Sequence, residues 1–254
     1  TGFGRCASIE LSRRGHDVVA TARRLETLAD LDVAQKLKLD VDDDASVAAA
    51  VAAAGEVDAL VNNAGWGAGG PVEKVPIEVA QRMFNTNFFG AARMIQSLVK
   101  GMRERRRGVI VNISSVAGRV APPLSGFYAA SKFALEGLSE TLHYELGHFG
   151  IRVAIVEPGY VQSSFRDNSS EFGIDTEPYD ELHRMWSGSD ETLVGGDRPG
   201  PEFVGVAIAN AVEGTDAALR WPVGKDAEMV TKARASMDDA SFEAAMRSML
   251  KLDW

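Results

Sequence analysis

Short apolar runs rich in β-branched residues alternate along the chain with longer segments whose apolar residues recur at helical spacing. The runs cover 18–21, 37–39, 57–61, 109–113 and 153–156, and the helical segments cover 5–14, 44–54, 77–105 and 126–149. Near-continuous apolar strands separated by helices are typical of a parallel sheet with helices on both faces. We predict a doubly wound, Rossmann-like α/β fold in a single domain over 1–254, because no repeat or linker divides the chain.

The stretch 160–201 departs from this alternation. It mixes Ser, Asp, Glu and Gly with isolated large apolar residues, which are Phe165, Phe172, Tyr179, Met185 and Trp186. A long loop in a compact domain is often a functional lid. We therefore expect 160–201 to form a lid over the substrate.

Composition narrows the classes of function. The formal net charge of −9 argues against binding to nucleic acid or to an anionic membrane. No run approaches the ~18 consecutive apolar residues of a membrane span. The single cysteine, Cys6, excludes an intrachain disulfide, and with no signal-peptide pattern it favours the cytoplasm. The histidines show no metal-ligand spacing, so we predict no metal site.

Two glycines stand directly before the first helical segment. The amide groups and the dipole at a helix start favour a pyrophosphate, which Gly2 and Gly4 would let approach the backbone. In such folds the residue that reads the adenosine ribose lies ~20 positions further on, and an acidic residue there selects NAD. Here Arg23 and Arg24 follow the strand, and the planar guanidinium of Arg23 suits a phosphate. This pattern favours NADP(H) over NAD(H); the alternative is a pair of arginines in a solvated loop.

Five short motifs follow one another at characteristic places. They are Asn62-Asn63-Ala64-Gly65, Asn87-Phe88-Phe89-Gly90, Ser115 after a strand, Tyr128-Ala129-Ala130-Ser131-Lys132, and Pro158-Gly159. In this order and spacing the chain resembles the short-chain dehydrogenase/reductase family from Gly2 to about Val161. The segment 219–227 resembles the corresponding strand of the hydroxysteroid and retinol dehydrogenase branch.

Tyr128 and Lys132 are four residues apart on a predicted helix, so their side chains share one face. A free phenol has a pKa of about 10, and a nearby ammonium is expected to lower it. Tyr128 could then give a proton to a carbonyl oxygen, or take one from an alcohol, while a hydride moves. Ser115 stands at a strand end, where doubly wound folds place their crevice, and its hydroxyl could hold the reacting oxygen.

The resemblance implies further roles near this pair. Lys132 would also hold the nicotinamide ribose, and Asn87 would support a water that links Lys132 to solvent. Asn85 is the rival of Asn87, and the spacing to Gly90 favours Asn87. Ser114 is the rival of Ser115, and the spacing to Tyr128 favours Ser115.

The remaining cofactor contacts are also implied by the resemblance. Asp40 would contact the adenine, although a turn residue at a strand end explains it equally well. Val161 and Ser163 would bind the carboxamide. The other implied contacts are Asn62, Ala64, Gly65, Pro158 and Gly159.

The start of the chain departs from the family pattern. The first strand of the family and the first glycine of its motif should precede Gly2, so we expect the natural chain to extend beyond Thr1. The alternative is that Thr1 and Gly2 open the motif and that the loop between Gly2 and Phe3 is missing.

These observations predict an NADP(H)-dependent oxidoreductase that acts on a carbonyl or secondary alcohol of a lipophilic small molecule. A non-catalytic nucleotide sensor on the same fold is the alternative. A nucleotide-sugar epimerase is disfavoured because too few residues follow 156 for its substrate domain. The helical segments 77–105 and 126–149 carry more apolar residues than the sheet can cover, which predicts a homodimer or homotetramer.

Overall fold

Six parallel strands and nine α-helices form the part of the chain that the computed structural model describes, which is 2–162, 175–187, 199–214 and 218–252. The strands are β1 Val19–Ala22, β2 Gln35–Lys38, β3 Ala59–Asn62, β4 Gly108–Ile113, β5 Ile151–Pro158 and β6 Arg220–Val223. The helices are α1 Gly2–Arg13, α2 Asp44–Ala54, α3 Ile77–Phe84, α4 Ala91–Arg105, α5 Gly126–Gly147, α6 Asp180–Ser187, α7 Glu202–Glu213, α8 Lys225–Ser236 and α9 Asp239–Leu250.

The strands form two parallel sheets. One has the order β3-β4-β5-β6, and the other pairs β1 with β2. No hydrogen-bonded ladder joins β1 to β3 among the described residues, so the sheet that the pattern predicts is present in two parts. In the larger sheet Asn62 lies beside Asn112, and Ile113 lies beside Val156. This register brings the carboxyl ends of β3, β4 and β5 close together.

Helices cover both faces of the larger sheet, as the doubly wound fold requires. Successive strand residues point to opposite faces. Val111 and Ala154 accordingly pack in the core under α1 and α7, whereas Ile110 and Val153 pack in the core under α2, α4 and α5. The near-continuous apolar runs of β4 and β5 follow from this two-sided burial.

Two helical predictions need correction. The segment 77–105 is helical throughout but is not one regular α-helix, because a π-helical turn, Asn85–Gly90, separates α3 from α4. A π-turn carries an extra residue per turn and is often found at functional sites. Gly2 and Gly4 lie inside the first turns of α1 and not in a turn before it.

The described residues include only part of the expected lid, 160–201. Residues 163–174 and 188–198 lie outside the described residues, and with them Phe165 and Phe172. Between these segments α6 carries Met185 and Trp186, so the stretch contains a helix and is not wholly irregular. None of the described helices is long and apolar enough to cross a membrane.

Candidate active site

A large cavity of about 1820 Å³ runs along β1 and β3, between the two parts of the sheet, and reaches the carboxyl ends of β3, β4 and β5. Most of the residues predicted to touch cofactor or substrate line it. These are Gly2, Gly4, Arg23, Asp40, Asn62, Ala64, Gly65, Ser115, Tyr128, Lys132, Pro158, Gly159 and Val161. Ser163 lies outside the described residues. The fold thus brings together residues that are up to 159 positions apart in sequence at one cleft.

Ser115 lies where β4 ends and a short 3₁₀ turn begins. Its hydroxyl accepts a hydrogen bond from the amide of Ala117 at 3.1 Å and donates one to the carbonyl of Pro158 at 3.5 Å. The same hydroxyl also hydrogen-bonds to Tyr128 and thereby acts to lower the pKa of that phenol. Ser115 therefore connects the end of β4 with the end of β5 and with α5.

Lys132 lies one turn after Tyr128 on α5 and is buried. Its ammonium donates a hydrogen bond to the carbonyl of Ile113 at 2.8 Å. The Nζ atom lies 5.9 Å from the centre of the Tyr128 ring. The tyrosine and the lysine thus share one helix face, as their spacing predicts.

Burial dominates the electrostatics of this pair. Loss of solvation raises the pKa of Tyr128 to about 12, and the hydrogen bond from Ser115 opposes this shift only in part. Loss of solvation also lowers the pKa of Lys132 to about 8, against the charge of Glu136. In the protein groups alone, burial therefore raises the pKa of Tyr128, and the lowering that opposes it comes from Ser115; the lowering expected from Lys132 stays a prediction.

Asn87 lies in the π-helical turn behind the lysine and is buried. Its Oδ1 accepts from the amide of Trp66 at 2.9 Å, and its Nδ2 donates to the carbonyl of Trp66 at 2.8 Å. A Cβ atom on Gly65 would lie 3.2 Å from Asn87 Oδ1 and 3.5 Å from Lys132 Nζ. Asn85 instead accepts from Arg93 at 2.9 Å, so Asn87 is the asparagine beside Lys132.

Two residues that the sequence analysis did not single out complete this layer. Ser131 accepts from Asn87 Nδ2 at 3.0 Å and donates to the carbonyl of Tyr128 at 2.7 Å. Trp66 supplies both backbone groups that Asn87 binds. Their places directly before Lys132 and directly after Gly65 are the only signals in the sequence that could have found them.

The opposite end of the cleft has the features of a dinucleotide site. A Cβ atom on Gly4 would lie 2.7 Å from Nδ2 of Asn63, so the side chain of Asn63 would have to shift to admit any larger residue there. Arg23 is exposed at the end of β1 and borders the cavity. A helix start with two glycines and a basic residue at the border of the same cavity fit a phosphate-bearing cofactor.

Two predicted contacts have clear structural roles as well. Asn62 donates from Nδ2 to Asn112 Oδ1 at 2.8 Å, which ties β3 to β4. Asp40 accepts from the amide of Asp42 at 3.1 Å, and its own amide donates to Ser46. Asp40 thus forms a turn at the same time as it borders the cavity.

A buried charge cluster lies behind Ser115 and Lys132. Arg220 Nε lies 3.0 Å from Glu136 and 3.3 Å from Glu157, and Arg119 lies 3.3 Å from Glu157. Burial and the neighbouring charge of Glu136 raise the pKa of Glu157 to about 7. The described residues contain no group of three or more His, Cys, Asp or Glu side chains that could hold a metal ion.

Comparisons with known proteins show which family has this fold and these motifs. The family model described as short chain dehydrogenase matches residues 1–172. The chain belongs to this family. A solved short-chain dehydrogenase from Streptomyces avermitilis superposes with a TM-score of 0.80, at 31% identity over 100% of this chain and 96% of that one.

Two curated relatives are similar over most of their length. A 3-ketodihydrosphingosine reductase of Bacteroides thetaiotaomicron is 35% identical over 97% of this chain and 93% of its own. Human retinol dehydrogenase 8 is 38% identical over 87% of this chain and 77% of its own. This short-chain dehydrogenase is thus an NAD(P)-dependent oxidoreductase that acts on CH–OH or C=O groups, and it resembles the retinol dehydrogenases. The comparisons favour the oxidoreductase over the nucleotide sensor.

Proposed function

We propose that this short-chain dehydrogenase uses NADP(H) to interconvert a carbonyl and a secondary alcohol in a lipophilic small molecule, with Tyr128 as the acid/base. One observation carries the proposal. Ser115, Tyr128 and Lys132 meet at the carboxyl end of the sheet, inside the cavity that the predicted cofactor residues line.

Each of these side chains has its own role in the proposed reaction. The nicotinamide, when bound, supplies or accepts the hydride. Ser115 positions the reacting oxygen, and Tyr128 moves the proton to or from it. The ammonium of Lys132 reduces the cost of forming the tyrosinate and also binds the nicotinamide ribose. Asn87 fixes the backbone of Trp66 beside Lys132 and supports the water through which the proton reaches solvent.

The preference for NADP(H) rests on Arg23. Ala22 and Arg24 flank it, so no carboxylate stands where NAD selection would need one. In this proposal Gly2 and Gly4 approach the pyrophosphate, and Asp40 contacts the adenine. Val161 and Ser163 would bind the carboxamide, and the other proposed cofactor contacts are Asn62, Ala64, Gly65, Pro158 and Gly159.

The proposal of a lipophilic substrate is based on the aromatic side chains that border the cavity. The rings of Tyr160 and Trp186 lie 6.4 Å apart, and both border the cavity with Trp66 and Leu124. The two relatives named above are called after 3-ketodihydrosphingosine and retinol. In our proposal the stretch 160–201, which includes α6, closes over a similarly apolar compound.

We also infer a homodimer or homotetramer in the cytoplasm. Phe89 and Phe133 are 50% and 45% exposed, and Ile77 and Tyr144 of the same two segments are also exposed, whereas Met94 and Leu142 pack in the core against the sheet. Exposed phenylalanines on two adjacent helices support an interface between copies. The single free cysteine supports a reducing compartment.

The proposal is tested with the purified protein, NADPH and a panel of ketones and aldehydes that differ in chain length. Nicotinamide absorbance should fall with time, and kcat/KM should rise with the apolar area of the carbonyl compound. The matched control replaces NADPH by NADH. If no carbonyl compound consumed NADPH, and no alcohol reduced NADP⁺, the proposal would fail.

A further inference from the structure

Asp226 is a buried carboxylate that the proposed chemistry does not use. It lies in the first turn of α8, directly after β6, and is 5% exposed. Among the described residues no basic side chain lies within ion-pair distance of it. A buried carboxylate needs hydrogen-bond donors, and the start of a helix is a favourable place for its charge.

The carboxylate is held against the loop that follows β5. Asp226 Oδ2 accepts a hydrogen bond from the amide of Tyr160 at 2.6 Å. A Cβ atom on Gly159 would overlap the same carboxylate, and a Cβ atom on Gly224 would lie 2.7 Å from Oδ1. Two glycines therefore make room for this one side chain. At Gly159 the need for glycine comes from Asp226 and not from the backbone conformation, since Gly159 is not among the positive-φ glycines.

The loop that Asp226 holds contacts Ser115 of the proposed active site, β6 and α6. The carbonyl of Pro158 accepts the hydrogen bond from Ser115, and Gly159 donates to the carbonyl of Val223 at 3.0 Å. Tyr160 places its ring beside Trp186 of α6. A displacement of this loop would move both the carbonyl that Ser115 contacts and the aromatic pair.

We propose that Asp226 is a positioning residue, whose carboxylate fixes the Pro158–Gly159–Tyr160 backbone where it contacts Ser115 and the nicotinamide half of the cofactor. This inference rests on the proposed function. A charge-assisted hydrogen bond from a backbone amide is among the stronger ones that a protein makes. A misplacement of reacting groups by about 1 Å can reduce a rate by about 100-fold, so the loss of this anchor should be measurable.

The test compares NADPH affinity, kcat and KM in Asp226→Ala, Asp226→Asn and the parent. Asp226→Ala should raise the Kd for NADPH about tenfold and lower kcat/KM by about 10- to 100-fold. Asp226→Asn keeps one oxygen that can accept from Tyr160, so its losses should be smaller. The control is Asp238→Ala, which removes a carboxylate that likewise accepts from a backbone amide, that of Ser241, at a helix start. It should lower the midpoint of thermal unfolding but leave the Kd unchanged.

A double-mutant cycle separates positioning from a general loss of stability. Gly159→Ala should weaken NADPH binding strongly in the parent, because the new methyl group overlaps Asp226. The same substitution should cost much less in Asp226→Ala, where the space is free. If Asp226→Ala does not fold, Asp226→Ser provides the second background.

Two results would overturn the inference: NADPH affinity of Asp226→Ala equal to that of the parent, or an equal effect of Gly159→Ala in both backgrounds. Both readouts use binding and not turnover. Failure of the Tyr128 chemistry would therefore leave this test intact.

Discussion

At the scale of single residues, burial disfavours the charged forms of both Tyr128 and Lys132. Burial raises the pKa of the phenol to about 12 and lowers that of the ammonium to about 8. A neutral phenol is the form that donates a proton to a carbonyl oxygen, which is the role that we propose for Tyr128 in the reductive direction. A positive charge on an oxidised nicotinamide would favour the tyrosinate that the reverse direction needs.

In our proposal the choice of cofactor also depends on one residue, Arg23. Arg23→Ala should lower the ratio of kcat/KM for NADPH to kcat/KM for NADH by about 10-fold or more, because a guanidinium that pairs with a phosphate is removed. Arg24→Ala is the matched control, since Arg24 is also exposed but does not border the cavity. A parent enzyme that favours NADH, or a ratio unchanged in Arg23→Ala, would show that Arg23 does not read the cofactor.

At the scale of elements, the apolar pattern predicted the positions of two central strands and one helix most accurately. The strands 109–113 and 153–156 and the helix 44–54 correspond closely to β4, β5 and α2. The π-helical turn was not foreseen, because the residues around Asn87 keep the helical spacing of their apolar neighbours. Within this turn the side chain of Asn87 hydrogen-bonds to the backbone of Trp66 and to Ser131, which come from distant parts of the chain.

The charge cluster joins α5, β5 and β6, and its pH response can be predicted. Glu157 holds its proton more tightly in the folded protein, with a pKa of about 7, than an ordinary glutamate of pKa 4.5 does. The folded state is therefore favoured below about pH 4.5, and this contribution is lost as the pH rises through about 7. Glu157→Gln removes the titrating group, so this loss of stability should be absent from the variant. The free energy of unfolding of the variant minus that of the parent should therefore be about 1–3 kcal/mol larger at pH 8 than at pH 5.

Urea denaturation at the two pH values measures this difference. Glu140→Gln is the control, because Glu140 contacts Arg220 at 2.5 Å from an exposed position. Its stability relative to the parent should change little between the two pH values. A difference between Glu157→Gln and the parent that stays constant with pH would contradict the role assigned to Glu157.

At the scale of the whole molecule, the order of strands and helices could be predicted, whereas the packing of distant segments could not. The motifs around Asn87, Ser115, Tyr128 and Lys132 indicated one site because parallel strands end at the same edge. The contact of Asp226 with the loop after β5 spans 66 positions and has no pattern in the sequence. The two-part sheet and the helices α7–α9 likewise depend on packing between distant segments.

Assembly is the second property of the whole molecule that can be tested. Phe89→Ser combined with Phe133→Ser should shift the protein toward the monomer in light scattering at micromolar concentration, because two exposed apolar anchors are lost. Met229→Ser, which also removes an exposed apolar side chain but on α8, outside the two proposed interface segments, is the control. A parent protein that is fully active as a monomer would contradict the proposed interface.

The most direct test of the account is the turnover of Tyr128→Phe. The substitution removes only the hydroxyl, so NADPH binding should remain close to that of the parent while kcat falls by at least about 10²–10⁴-fold. Tyr144→Phe, on the same helix but exposed, should keep full activity and NADPH affinity. If Tyr128→Phe reduced carbonyl compounds as fast as the parent, Tyr128 would not be the acid/base and the proposed mechanism would be wrong.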